Sequence, residues 1–205
     1  MFWDNVAWIY DLFADVLNGK VHKVLCREVA ELVSEKDNVL ECACGTGMLT
    51  VYVAPVCQRI VATDFSEKML KRAAAKCKRF GNASFEFADI MHLAYTDGRF
   101  DTVIAANVIH LLDEPLKALA ELDRVCKPGG KIIIPTYMNR ENEKGKTSGF
   151  AKVVGKAGAD FKRQFTLSSY QQFFAEADYH YVTYKMIDGR VPCAVAVITK
   201  GLSQS

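Results

Sequence analysis

Hydrophobic and polar positions in residues 20–136 follow two alternating patterns along the chain. Short apolar runs are typical of strands, and apolar residues recurring every three or four positions are typical of amphipathic helices. The two kinds of segment follow each other throughout this range. Because strands alternating with helices form parallel sheets with helices on both faces, we predict an α/β fold.

The predicted elements are bounded by recognisable start and stop signals. Ser66 and Ser168 are placed to cap helices, Pro115 to begin one, and residues 127–130 (Lys-Pro-Gly-Gly) to end that helix. Apolar residues near the helical spacing predict a further helix, with the stripe Val21, Val24, Leu25, Val29 and Leu32. The predicted strands are residues 38–42, 59–63, 84–88, 100–106, 131–136, 181–187 and 193–199.

Polar residues stand at the carboxyl ends of four of the predicted parallel strands: Glu41, Asp64, Asp89 and Asn107. In an open parallel sheet, ligands bind outside the carboxyl ends of the strands, so we expect these side chains to meet at one site. The small-residue turn 43–47 follows the first of these strands. Its glycines allow a tight turn and a close approach of the backbone to a ligand.

Two kinds of adenosine cofactor fit an acid at the end of the second strand, since a carboxylate can accept both ribose hydroxyls. A dinucleotide site requires the spacing G-x-G-x-x-G, and here Thr50 stands in the third glycine position. The carboxylate of Glu41 would repel a pyrophosphate but suits a ligand that carries an ammonium group. Both observations argue against a nicotinamide-dependent reductase, the second enzyme class that such a sheet could support.

The segment 39–47 (Val-Leu-Glu-Cys-Ala-Cys-Gly-Thr-Gly) resembles the cofactor-binding signature of the class I S-adenosylmethionine-dependent methyltransferases. Similar family motifs occur at Asp64, at residues 87–90 and at residues 126–131, so that the resemblance covers roughly residues 36–136. One departure is Ala43, which replaces the first glycine of the family motif. Residues 3–11 resemble the branch that contains the ubiquinone and menaquinone biosynthesis methyltransferases (methyltransferase domain type 11) and bacterial phospholipid N-methyltransferases.

The resemblance implies a Rossmann-like, seven-stranded, mostly parallel sheet with helices on both faces and an antiparallel C-terminal hairpin strand. It implies the cofactor S-adenosyl-L-methionine, converted to S-adenosyl-L-homocysteine. The whole chain then forms one methyltransferase domain. Its parts are an N-terminal helical cap (1–35), a cofactor-binding core (36–136), a basic lid or linker (137–167) and a C-terminal helix and strand hairpin (168–205).

Residue roles at the methionine and ribose also follow from the resemblance. Asp64 takes the ribose hydroxyls. Asn107 lies near the methionine carboxyl or the reacting centre. Four residues surround the methionine moiety, three of them through their backbone: Glu41, Ala43, Gly45 and Gly47.

The adenine and the mouth of the pocket have their own implied residues. Phe65 or Met69 covers the adenine, and Asp89 accepts from its amino group with Ile90 beside it. Asp89 is equally placed to be an ordinary cap at a strand end. Tyr10 closes the pocket and contacts cofactor and substrate, unless it belongs with Trp3 and Trp8 to the apolar face of a docked helix.

Methyl transfer needs a base only where the acceptor must lose a proton. His110 is the candidate base and Asn107 a second candidate catalytic residue, while Tyr137 and His110 are candidate substrate-binding residues. A short turn that leads into a helix would explain His110 equally well. The acceptor is predicted to be a small molecule or a lipid, and the atom that is methylated stays open.

Composition limits the partners, the cellular location and the metals that we expect for the protein. The 205 residues carry 26 Lys and Arg against 24 Asp and Glu, a net charge of +2, so we expect no nucleic-acid partner. The odd number of cysteines, seven, argues against a disulfide framework and favours a cytoplasmic protein. Cys42 and Cys44 lack the second ligand pair of a zinc site, and no metal is expected.

The small net charge hides a basic segment. Residues 138–163 carry seven Lys or Arg against three acids. We interpret residues 140–163 either as a surface that meets an anionic acceptor or membrane, or as a solvated face. Three functions remain: a methyltransferase for a small acceptor, a phospholipid headgroup N-methyltransferase, and a non-catalytic cofactor-binding module. The oligomeric state is left open.

Overall fold

A computed structural model describes residues 18–139 and 162–201. In these ranges the chain forms one seven-stranded sheet of order β3-β2-β1-β4-β5-β7-β6. This is the predicted α/β class with the Rossmann-like order. The strands are β1 (Asn38–Cys42), β2 (Arg59–Asp64), β3 (Ala83–Phe87), β4 (Phe100–Ala105), β5 (Cys126–Tyr137), β6 (Val182–Ile187) and β7 (Cys193–Thr199).

Strands β1 to β5 pair in parallel, and β7 alone runs opposite to them, between β5 and the edge strand β6. β1 lies inside the sheet and pairs in parallel with β2 and β4. β7 pairs antiparallel with both β5 and β6, as expected for a C-terminal hairpin. Because strand order reverses at β1 and β4, a crevice opens above their carboxyl ends, which is the position where such sheets bind ligands.

The helices begin at local signals in the sequence. Ser66 caps one helix by accepting a hydrogen bond from the Met69 amide at 3.2 Å. The last helix is capped by Thr166 in a capping box with Ser169, two residues before the predicted Ser168. The helices are α1 (described from 18 to 31), α2 (Thr50–Val53), α3 (Glu67–Lys76), α4 (Pro115–Val125) and α5 (Leu167–Glu176).

The predicted strand bounds agree with the observed ones within a residue or two except at β5. This strand starts at Cys126 and includes the Pro-Gly-Gly sequence, where the register against β4 shifts between Phe100 and Thr102. A Cβ on Gly130 would lie 2.6 Å from the Asp101 carbonyl oxygen. The glycine therefore allows the irregular start of β5 to pack against β4.

Helix α1 buries the predicted apolar face with one exception, Val24. Val24 is 43% exposed, whereas Val21, Leu25 and Val29 are buried. His22 and Cys26 are buried with them. Residues 22, 25, 26 and 29 share one side of a helix of 3.6 residues per turn. The apolar stripe therefore continues through His22 rather than Val24.

All seven cysteines are buried and none forms a disulfide. In the described ranges, no helix has both the length and the apolar composition that a bilayer crossing requires. No group of three or more His, Cys, Asp or Glu in those ranges is arranged to hold a metal ion.

Candidate functional site

A cavity of about 320 Å³ lies above the carboxyl ends of the parallel strands. This volume is at the lower end of the range for small-molecule sites. The four polar residues at the ends of the predicted strands all line this cavity: Glu41, Asp64, Asp89 and Asn107. Each comes from a different parallel strand or the loop after it, so the shared sheet edge brings them together.

Glu41 belongs to β1 and is 2% exposed. Its Oε2 accepts a hydrogen bond from the Thr50 hydroxyl at 2.7 Å. The pKa of this carboxyl is raised to about 8, mainly by burial; the hydrogen bond from Thr50 opposes the shift, and the nearby Asp64 adds to it. A ligand cation placed beside Glu41 would offset the cost of ionising it.

The turn after β1 has the left-handed backbone that glycine adopts most easily. Ala43, Gly45 and Gly47 have φ angles of 53°, 55° and 77°. At Ala43 an L-residue occupies this region at a cost of about 1–2 kcal/mol, which gives a physical reason for the glycine of the family motif. Ala43 and Gly45 line the cavity.

Gly47 is not among the described residues that line the cavity. A Cβ at this position would lie 3.1 Å from the Cα and Cβ of Ala73 in α3. The glycine therefore allows the turn to pack closely against α3, and the structure gives Gly47 a packing role.

Asp64 ends β2 with its carboxylate held in place by the backbone. Oδ2 accepts from the Gly45 amide at 2.8 Å, and Oδ1 accepts from the Ser66 amide at 2.9 Å. These bonds tie the turn after β1 to the end of β2 and orient the carboxylate beside the cavity. A carboxylate fixed in this way is suited to accept hydrogen bonds from paired ligand hydroxyls.

Asp89 is both a cap and a cavity residue. Its Oδ1 accepts from the Met91 amide at 2.9 Å, so it caps the turn after β3, and it also lines the cavity. Its Oδ2 lies 3.2 Å from Nδ1 of His92.

The apolar residues predicted to cover the adenine lie in the same cavity. Met69 and Ile90 are buried in the wall, whereas Phe65 is 47% exposed. The Phe65 ring packs against the Phe87 ring, with 5.1 Å between centroids. A flat apolar group could therefore lie between buried aliphatic side chains and a partly exposed aromatic ring.

Asn107 presents a buried polar atom without a partner in the described part of the chain. Its backbone has a φ of 53°, and its amide donates to the Pro135 carbonyl at 2.8 Å. The side-chain Oδ1 is buried and accepts no hydrogen bond there. Since such atoms are rarely left unsatisfied, a donor from a ligand in the cavity is the natural partner.

Not every predicted site residue meets the cavity. His110 and Tyr137 are absent from the described lining residues. His110 is buried behind the wall, and burial lowers its pKa to about 4. Tyr10 and residues 140–161 lie outside the described ranges.

Sequence reasoning missed His22, which lines the cavity from α1. The signal was available, because Leu25 and Cys26, which also line the cavity, stand three and four residues after it. An imidazole on an otherwise apolar helix face is a candidate for contact with a ligand.

The polar groups and apolar walls of the cavity fit S-adenosyl-L-methionine. Buried Glu41 and the unpartnered Oδ1 of Asn107 suit an ammonium group, Asp64 suits a ribose, and Asp89 with Met69 suits an adenine. These groups are acceptors or apolar surfaces, so they complement a cationic, donor-rich nucleoside.

Residues 40–134 match the methyltransferase domain family. The chain is 35% identical to a ubiquinone/menaquinone biosynthesis C-methyltransferase from Bdellovibrio bacteriovorus, over 63% of this chain and 57% of the relative. It is also 35% identical to a demethylmenaquinone methyltransferase from Renibacterium salmoninarum, over 65% of this chain and 56% of the relative. The chain thus spans a little over half the length of these relatives.

Solved structures show the same fold. An S-adenosylmethionine-dependent methyltransferase from Thermotoga maritima superposes with a TM-score of 0.73 at 17% identity, covering 97% of this chain and 98% of that one. The resemblance stated from the sequence motifs is confirmed. Residues 40–134 therefore form a methyltransferase domain, and the chain is a relative of the ubiquinone and menaquinone biosynthesis methyltransferases.

Proposed function

We propose that this protein transfers the methyl group of S-adenosyl-L-methionine to a small-molecule acceptor and releases S-adenosyl-L-homocysteine. The observation that carries the proposal is the cavity at the sheet edge, lined by Glu41, Asp64, Asp89 and Asn107. Each has a chemical counterpart in the cofactor, and the family match covers the strands that carry them.

The cofactor supplies a methyl group already activated on a sulfonium. Glu41 and Asn107 bind the ammonium end, with the backbone of Ala43 and Gly45 alongside. Asp64 binds the ribose hydroxyls and Asp89 the adenine amino group. The protein's part in the chemistry is to hold the acceptor in line with the methyl group and to exclude water.

The part of the cavity formed by α1 and the loops after β1 and β4 is apolar. Leu25, Leu49, Val108, Leu111 and Leu112 lie in it. This lining favours a flat, weakly polar acceptor over a charged headgroup. Because relatives are named for quinone C-methylation, we propose a hydroquinone-type ring as the acceptor class.

A phospholipid headgroup acceptor is less favoured. Two of the basic residues of this segment, Lys162 and Arg163, fall in the described ranges, and both contact the protein itself. Lys162 lies 3.2 Å from Asp113, and the Arg163 guanidinium donates to the Leu112 carbonyl at 2.7 Å. These contacts support an intramolecular role for this end of the segment.

The free, buried thiols are consistent with a cytoplasmic location.

Calorimetric titration with S-adenosylhomocysteine tests the cofactor. We expect binding to the full-length protein, and we expect Asp64→Ala to weaken it about tenfold or more, since a hydrogen bond to a charged group contributes about 1.5–3 kcal/mol. Asp188→Ala is the matched control, because Asp188 is an exposed acid outside the cavity. Absence of binding to the wild type, or equal affinity in the two variants, would contradict the proposal.

A further inference from the structure

Three aromatic side chains form a cluster at the α1 side of the cavity: His22, Tyr137 and His110. Nε2 of His22 forms a hydrogen bond with the Tyr137 hydroxyl. The Tyr137 ring lies edge-on to both imidazoles, with centroids 5.9 Å from His22 and 6.4 Å from His110. Of the three, His22 alone is among the described residues that line the cavity.

The other titratable groups lining the described cavity are poorly suited to accept a proton from an acceptor. Burial raises the pKa of Cys26 to about 12 and that of Cys44 higher still, so both remain neutral thiols. Asp64 and Asp89 hold backbone amides. Glu41 is bonded to Thr50 at the side where the cofactor's ammonium would lie.

His110 is held away from the reaction by its surroundings. It is 4% exposed, and its carbonyl accepts from the Arg163 amide at 3.1 Å. With its pKa lowered to about 4 it stays neutral at physiological pH. It therefore packs behind Tyr137 as an uncharged ring.

We propose that His22 is the general base for a phenolic acceptor and that Tyr137 positions its imidazole; this rests on the proposed methyl transfer. The hydrogen bond to Tyr137 fixes the orientation of the His22 ring, as a third group does for the base in other base-assisted sites. His22 is 7% exposed, so the proton transfer takes place away from bulk water.

Methylation of a ring carbon releases one proton overall. The hydroxyl proton of a hydroquinone passes to the unprotonated ring nitrogen of neutral His22, which becomes an imidazolium. The oxygen lone pair drives formation of a ring carbon–methyl bond, and the pair of the broken sulfur–methyl bond stays on sulfur. The keto tautomer of the ring then loses the proton on the methylated carbon while its oxygen regains one. His22 finally releases its proton to water.

The titratable groups around His22 determine how a pH profile is read. Among the described residues these are Cys26 on its own helix, Tyr137 on β5, His110 beyond Tyr137 and Glu41 on β1. Burial raises the pKa of Cys26 to about 12 and lowers that of His110 to about 4, so neither changes charge near neutral pH. The pKa of Glu41 is raised to about 8, so the assignment of an acid limb to His22 requires the variant.

The test uses the full chain, labelled S-adenosylmethionine and 1,4-naphthohydroquinone kept reduced with dithionite. We expect methylation by the wild type with an acid limb in kcat/KM. His22→Gln should lower kcat about 100-fold or more, the range of general base catalysis, and should abolish the acid limb. His180→Gln is the control, since His180 is an exposed imidazole outside the cavity and should leave both unchanged.

Tyr137→Phe should lower kcat about tenfold and move the midpoint of the acid limb with little change in KM, because it removes a hydrogen bond to the base. Affinity for S-adenosylhomocysteine shows that each variant is folded. Should His22→Gln fail to fold, His22→Asn replaces it.

Outcomes separate this proposal from the function it rests on. A wild type that binds S-adenosylhomocysteine but does not methylate naphthohydroquinone overturns the His22 proposal and leaves the cofactor assignment standing. A His22→Gln variant with the wild-type rate, or one that keeps the acid limb, also overturns it. A wild type that does not bind S-adenosylhomocysteine overturns both.

Discussion

Glu41 is the residue at which burial and charge conflict most directly. It lies wholly inside the protein, with Thr50 as its hydrogen-bond donor. Its pKa rises from 4.5 to about 8 in the folded chain because burial disfavours the carboxylate. The conflict is tolerable at a ligand site, since a bound cation would favour the ionised form.

This shift predicts how stability changes with pH. A carboxyl whose folded pKa is raised stabilises the fold fully below its unfolded value of 4.5, and that stability is lost as pH rises through about 8. We expect Glu41→Gln, which keeps an acceptor for Thr50, to raise the free energy of unfolding at pH 7 by about 3 kcal/mol. Urea melts should show the gap closing as pH falls toward 4.5, while affinity for S-adenosylhomocysteine falls. A gap that is constant with pH would contradict the assignment.

Among the secondary-structure elements, the turn between β1 and α2 contacts both the end of β2 and helix α3. Gly45 donates its amide to Asp64 at the end of β2, and Gly47 packs against Ala73 of α3. Both glycines have positive φ, but only Gly47 is crowded. The turn therefore uses one glycine for backbone conformation alone and the other for conformation and close packing.

Alanine substitutions at the two glycines separate these effects. Gly45→Ala places a Cβ where no atom lies within 4 Å, so we expect only the cost of the left-handed backbone, about 1–2 kcal/mol. Gly47→Ala adds overlap with α3, and we expect a further loss of about 1–3 kcal/mol. Chemical denaturation of the two variants beside the wild type measures the difference. Equal losses would show that α3 moves away without cost.

At the scale of the whole molecule, the cavity exists because four parallel strands end at the same edge. Glu41, Asp64, Asp89 and Asn107 are spread over more than sixty residues of chain, yet all four line one cavity. Any ligand that contacts them together ties strands β1 to β4 to each other. Binding should therefore stabilise the fold as a unit.

We expect S-adenosylhomocysteine at 100 times its dissociation constant to add about 2.7 kcal/mol to the free energy of unfolding. For a chain of 205 residues this corresponds to a rise of about 5–10 °C in Tm. NADH at the same concentration should give no shift. Differential scanning fluorimetry measures both, and a shift with NADH alone would restore the reductase alternative.

Much of the fold follows from local patterns. The apolar strands, the cap at Ser66 and the start at Pro115 are local signals, and the structure has them where they were predicted. The cap of α5 was misplaced by two residues, because Thr166, Ser168 and Ser169 all carry a hydroxyl and only the capping-box geometry selects Thr166. The buried face of α1 was predicted except at Val24, where His22 is buried instead, because a histidine interrupts the apolar stripe.

The sequence by itself determined the alternation of strands and helices, and thereby which acids stand at strand ends, since hydrophobic period and turn chemistry act over a few residues. The motif at residues 39–47 likewise indicated the family. Only the tertiary structure decided which of those residues share the cavity, that Gly47 packs against α3, and that His22 rather than His110 lines the pocket. Those relations depend on contacts between residues distant in the chain, such as His22 with Tyr137, which no local pattern encodes.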